Sequence, residues 1–188
     1  MIIKSISHTN RSAPQRLIRY VFDGRKSLLD PDGNQLVFKQ HLRSYNKQRW
    51  ISQFNELEKS RKSHYGSKSV VCYHEVLSFS DKSTGHLNRQ IIKDLVCRYI
   101  DLRTQGDQLC IGACHFDAGK NWHVHLIFSG IRTRDQKSAR ISKARLAEIK
   151  EELQTYQITT YPQLEDSVVR NGLKKKDSFV PFPKKKPN

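Results

Sequence analysis

The sequence predicts an α+β fold, a central antiparallel β-sheet with flanking helices, built as one domain from 188 residues. Two short apolar runs, 109–115 and 122–129, alternate in character and are joined by a Gly-containing turn, which is the pattern of a β-hairpin. Four stretches of helical period surround them. No run approaches the roughly 18 apolar residues a membrane helix needs.

Ser12, Ala13 and Pro14 open the first helix with an N-cap and a proline in the first turn. It carries Leu17, Ile18, Val21 and Phe22 on its apolar side, with Arg16, Arg19 and Tyr20 on or near the other flank, and Gly24 stops it. Residues 30–34 form a turn of Pro, Asp, Gly and Asn, followed by a short strand from Leu36 to Phe38. From His41 to Arg61 the spacing of Leu42, Tyr45, Trp50, Phe54 and Leu57 predicts a second helix. After a polar loop at 62–68, Val70 to Phe79 is a strand rich in β-branched and aromatic residues. Ser83 to Gly85 turns the chain into a helix striped by Leu87, Ile91, Leu95 and Tyr99. The hairpin follows, then a charged loop at 132–140. A last helix is capped by Ser142 and carries Leu146, Ile149, Leu153 and Tyr156. Leaving the short strand at Leu36–Phe38 aside, the order is ααβαββα. The domain takes residues 1–172, and 173–188, with two Lys triplets, is a basic tail expected to be flexible.

Lys and Arg number 34 against 18 Asp and Glu, a formal charge of +16, and a folded protein with that charge meets an anionic partner, most commonly nucleic acid. The N-terminal stretch lacks the apolar core of a secretory signal. Cys72, Cys97, Cys110 and Cys114 sit in apolar stretches without a CxxC pair, which fits buried reduced thiols and a cytoplasmic location, and excludes a closely spaced Cys-ligated zinc site.

Three of the eight histidines fall in Cys114-His115-Phe116-Asp117-Ala118-Gly119-Lys120-Asn121-Trp122-His123-Val124-His125. On a strand His123 and His125 share one face, while Val124, Leu126 and Phe128 take the other. The apolar face packs under helices and the histidine face is expected to be open. A hairpin centred on Gly119 sets His115 opposite His123, and directly opposed residues point the same way. A slip of one residue would send His115 to the other face. Three neutral imidazoles suit Zn, Mn, Co or Ni and leave coordination positions free, whereas Mg favours oxygen ligands. Asp117 and Glu75 are candidates to accept the second N–H of a ligand imidazole. Of the alternating neighbours His74 and Glu75 only one can face the metal, and Glu75 is preferred.

This histidine segment resembles the third motif of conjugative relaxases, mobilisation nucleases of the HUH endonuclease superfamily, which read H-x-D, a spacer, then His-hydrophobic-His. SAPQRLIRYVFD, residues 12–23, is similar to their first motif, a helix ending in a nucleophilic tyrosine, which implies Tyr20. YHEVLSFS, residues 73–80, is similar to their second motif, where a strand-end serine touches DNA near the scissile bond, which implies Ser78. The resemblance runs from about Ser12 to Tyr156. Ser129 and Gly130 stand where many relaxases have an asparagine after the histidine strand, and the chain is short for a family whose members commonly carry a further C-terminal domain.

The resemblance implies an HUH fold with the histidine pair on a central strand, in a bacterial cytoplasmic protein of a plasmid or mobile element. It implies nicking of single-stranded or hairpin DNA at a transfer origin, with accessory transfer proteins as further partners. One divalent ion, Mn or Mg in use with Zn, Co or Ni as substitutes, on His115, His123 and His125 supplies Lewis acidity. A phenol is a weak nucleophile at its free pKa of about 10 and needs activation. Attack by Tyr20 gives a 5′-phosphotyrosine and a free 3′-OH. Arg16, Arg19, Arg25, Lys26 and Lys120 are candidate phosphate contacts. Three alternatives stand beside this reading: a rolling-circle initiator or single-strand transposase of the same superfamily, a three-histidine metal-hydroxide phosphodiesterase, and a non-catalytic basic DNA-binding module.

Overall fold

A computed structural model describes residues 1–23, 28–62, 69–117 and 121–167. Residues 24–27, 63–68, 118–120 and 168–188 lie outside the described residues, and with them the helix stop expected at Gly24 and the boundary expected at 172. The elements run β1 (Ile2–His8), α1 (Ala13–Phe22), β2 (Val37–Gln40), α2 (Lys47–Lys59), β3 (Cys72–Ser78), α3 (Arg89–Thr104), β4 (Cys110–His115), β5 (His123–Ser129) and α4 (Lys143–Thr160). The turn expected at 83–85 is part of a short 3₁₀ segment, Asp81–His86, and a second such segment, Pro162–Ser167, follows α4.

The five strands form one sheet in the order β1-β3-β5-β4-β2, and every neighbouring pair is antiparallel. One face bears Cys110, Cys114, Val124, Leu126 and Phe128, which pack with Ile92, Leu95, Val96 and Tyr99 of α3 and with Ile149 and Leu153 of α4. The opposite face bears Cys72, Ile111, Ala113 and Ile127, packed with Ile18 and Val21 of α1 and with Trp50, Ile51 and Phe54 of α2. The histidines share this second face with Ile111 and Ile127, so the expectation of an open histidine face is corrected. Apolar residues in phase with the imidazoles need cover, and α1 and α2 supply it.

Four local expectations change. β1 adds an N-terminal edge strand absent from the expected order; of its residues only Ile3 is buried, so its hydrophobic signal is weak. The second helix starts at Lys47, because the Asn46 side chain caps it by accepting from the backbone of Gln48 and Arg49; Leu42 is buried in the preceding loop and Tyr45 is exposed. Ser12 occupies the N-cap position of α1, but its hydroxyl donates 2.8 Å to Asn10 Oδ1 in place of capping the helix. Asn88 and Ser142 cap α3 and α4 through their side chains. Cys72, Cys110 and Cys114 are buried reduced thiols, whereas Cys97 is exposed on α3, against expectation. No helix among the described residues is long and apolar enough to cross a membrane.

Candidate metal and nucleophile site

The β4–β5 register decides where the imidazoles go, and it sets His115 opposite His123 and Ala113 opposite His125. The three histidines therefore project from one face, and one ring nitrogen from each lies within 4.8 Å of the others. Close strand approach is needed here: a Cβ on Gly112 would stand 2.1 Å from the His125 carbonyl oxygen, so only glycine fits opposite this part of β5.

Each ring is held by its second nitrogen. His115 is fully buried and its Nε2–H donates to the Val21 carbonyl at 2.9 Å, which ties the end of α1 to β4. His123 Nδ1–H donates 2.9 Å to the Asn121 carbonyl. Carbonyls only accept, so in the neutral rings Nδ1 of His115 and Nε2 of His123 carry the lone pairs. His125 Nδ1 is 2.9 Å from Nε2 of His74. Three imidazoles that bring one ring nitrogen each together while the other ring nitrogens are engaged fit a divalent transition-metal ion.

Tyr20 stands in the last turn of α1, 48% exposed, with its ring edge-on to His125 at 5.5 Å between centroids and to His74 at 6.3 Å. Ser78 ends β3 directly opposite His123, on the same face. Arg16 and Arg19 are exposed on α1. Burial first, and then the guanidinium of Arg16, lower the pKa of His8, which lies beside His74 at 6.4 Å. Arg25, Lys26 and Lys120 are outside the described residues.

The two candidate acids part company. Asp117 Oδ2 is 4.0 Å from His123 Nε2, next to the converging ring nitrogens; the backbone of Asn121, not Asp117, takes the second N–H of His123. Glu75 is paired with Leu126 and points to the other face. There its carboxylate accepts from Ser5 Oγ at 2.9 Å, from Arg103 Nε at 3.0 Å and from the Tyr99 hydroxyl, all fully or nearly buried apart from Ser5. Burial and the Glu75 charge push the Tyr99 phenol well above its usual range. Glu75 thus offsets a buried guanidinium and cannot reach the imidazoles; His74 is the neighbour that does. The phase of β3 carries that information: Ser78 and His74 are four apart, so they share a face. Ser129, where many relaxases have asparagine, is a structural bridge that accepts from Leu109 N–H and donates to the Ile131 carbonyl.

A family model described as relaxase, MobA/VirD2-like, nuclease domain, matches residues 20–157. Among solved structures the chain is similar to the MobM relaxase domain bound to plasmid pMV158 oriT DNA, in a Mn-bound crystal structure. The TM-score is 0.57 at 14% identity, covering 85% of this chain and 86% of that one, so the likeness is one of fold. No curated protein matches the chain.

Proposed function

Because the chain belongs to the MobA/VirD2-like relaxase family, as its nuclease domain, we propose that it nicks one strand of plasmid or mobile-element DNA at a transfer origin with Tyr20 as nucleophile. The observation that carries this is the half-exposed Tyr20 ring edge-on to a buried imidazole of a converging histidine triad. His115, His123 and His125 would hold one divalent ion, with the Asp117 carboxylate adding negative charge beside it. When bound, that ion supplies Lewis acidity toward the scissile phosphate.

The chain's own groups account for the rest. Tyr20 Oη forms the new bond to phosphorus as the bond to the 3′ oxygen breaks; the phenolic proton is lost and one proton is delivered to the departing oxygen, which leaves as a 3′-OH. The 5′ phosphate stays on Tyr20. Ser78, beside His123 on the sheet, is placed to donate a hydrogen bond to a phosphate oxygen. Arg16 and Arg19 on the same helix as Tyr20 neutralise flanking phosphates.

A path for the strand follows from what α1 and α2 leave uncovered. On the histidine face β1 presents Ile2 and Ile6, 47% and 53% exposed, on either side of Lys4. Ile2 is opposite Ser78 and Ile6 is opposite His74, so this strip adjoins the site. Apolar contacts for bases with a lysine between them suit an unpaired strand. The test is nicking of single-stranded against duplex oligonucleotides tiled from the DNA flanking the chain's own gene. Expected is cleavage of one single strand at one position, silenced by EDTA and restored by Mn. Cleavage of duplex alone, or cleavage indifferent to EDTA, contradicts the reading.

A further inference from the structure

The proposed metal site uses three imidazoles, yet a fourth, buried, is in contact with one of them, His125. His74 projects from β3 onto the histidine face, opposite Ile127 in the register. Its Nε2 is 2.9 Å from His125 Nδ1, and the two rings are stacked at 5.1 Å with 21° between their planes. The His74 ring also meets Tyr20 edge-on at 6.3 Å.

The three prospective ligands differ in how they are oriented. His115 and His123 donate to the main-chain carbonyls of Val21 and Asn121, acceptors that no side-chain substitution removes. His125 is oriented by a side chain. A neutral imidazole has one N–H and one lone pair, so His125 can present Nε2 to a cation only if Nδ1 holds its proton, and a neighbour that accepts that N–H favours this tautomer and fixes the ring. A carbonyl could only accept, but an imidazole can accept or donate. If His74 donated from Nε2, the lone pair of His125 would turn to Nδ1, away from the other two ligands.

We propose that His74 is a positioning residue of the metal site, whose Nε2 accepts the Nδ1–H of His125 and so holds the Nε2 lone pair of His125 toward His115 and His123. This inference rests on the metal-binding reading above. Its consequence is that His125 is the substitutable member of the triad's support, and that the residue at 74 sets cation affinity without touching the cation. Glu75, adjacent in the chain, cannot take over, because its carboxylate lies on the other face with Arg103 and Tyr99.

Co(II) titration of the full chain, followed by calorimetry and by the visible d–d bands, tests this with wild type, His74→Gln and His74→Leu. The Gln side-chain carbonyl can accept from His125; Leu cannot. Expected is a loss of about 10–100-fold in Co(II) affinity and altered bands for His74→Leu, the usual scale for a lost ligand support. His74→Gln is expected to recover most of that affinity and the wild-type bands. Equal, near-wild-type affinity in both variants overturns the role of His74 while leaving the metal site standing. A wild type that binds no Co(II) overturns both. Long-range ¹H–¹⁵N spectra of the metal-free wild type at pH 8 give a readout independent of any variant's folding. His125 protonated on Nδ1 is expected there; His125 protonated on Nε2 contradicts the proposal.

Discussion

The Tyr20 ring meets the His125 ring edge-on, 5.5 Å between centroids and 87° between planes. The contact joins the last turn of a helix to a central strand, more than a hundred residues further along the chain. It exists because Ile18 and Val21 bury the other side of α1 against the sheet, which leaves Tyr20 at the border between the covered and the bare parts of the histidine face. On the proposed reading, a nucleophile there is accessible to a strand lying over β1 and stands beside the imidazoles that would hold the ion.

Tyr20→Phe removes one hydroxyl and keeps the ring contacts. Nicking by this variant is expected to fall by at least about a thousandfold, a loss of about 4 kcal/mol in the chemical step. Affinity for single-stranded DNA should stay within about twofold, since one rim hydroxyl carries little of a phosphate-dominated interaction. Rates of cleavage and fluorescence anisotropy check the two halves separately. A variant that nicks within about tenfold of wild type rejects Tyr20 as nucleophile.

Single changes of His115, His123 or His125 to Ala should weaken binding of a divalent ion and cut nicking together. Ligating imidazoles must be neutral, so ion affinity should also fall as the pH is lowered and protons compete for the ring nitrogens. Calorimetry with Mn or Co(II) between pH 6 and 8 measures both. His115→Ala deserves separate attention because His115 also anchors α1 through the Val21 carbonyl; its melting temperature should fall, while that of His123→Ala should barely move. Wild-type ion affinity in all three variants would contradict the triad.

Glu75→Gln tests the corrected role of that residue. It leaves the buried Arg103 guanidinium without its counter-charge, and removing one partner of such a pair costs about 3–5 kcal/mol. Urea unfolding followed by circular dichroism should show that loss, while nicking per folded molecule stays near wild type. Unchanged stability with lost nicking would return Glu75 to the catalytic machinery.

Binding to single-stranded DNA should weaken steeply with salt, log affinity falling by about 0.7 per log unit of salt for each phosphate neutralised. Removing residues 174–188 deletes Lys174, Lys175, Lys176, Lys184, Lys185 and Lys186. That truncation should lower affinity and flatten the slope without moving the cleavage position. A salt response that is flat in the full chain contradicts a phosphate-led interaction.

The hairpin and its register were legible because three histidines of matching phase flank a turn, so a single register puts all three on one side. The helices of the core were legible from their periodic stripes. Illegible parts have physical reasons. β1 buries only Ile3 at the sheet edge, so its residues lack the alternation that marks a half-buried strand. Glu75 looked like a metal-site acid because its counter-charge, Arg103, lies 28 residues away on α3 and leaves no local trace. The cover over the histidines was foreshadowed by Ile111 and Ile127, apolar residues in phase with them, which have to be buried by something.

The central claim is that Tyr20 attacks the scissile phosphate, and the 5′ end of the nicked strand reports it most directly. Wild-type protein is incubated with the cleaved single-stranded oligonucleotide and Mn, digested with trypsin and nuclease, and its peptides weighed. The account predicts a peptide containing Tyr20 that carries a 5′-phosphonucleotide, absent from Tyr20→Phe, together with a free 3′-OH on the released fragment. Efficient nicking with a free 5′ end and no modified peptide would contradict it, and would assign the histidine site to hydrolysis by water.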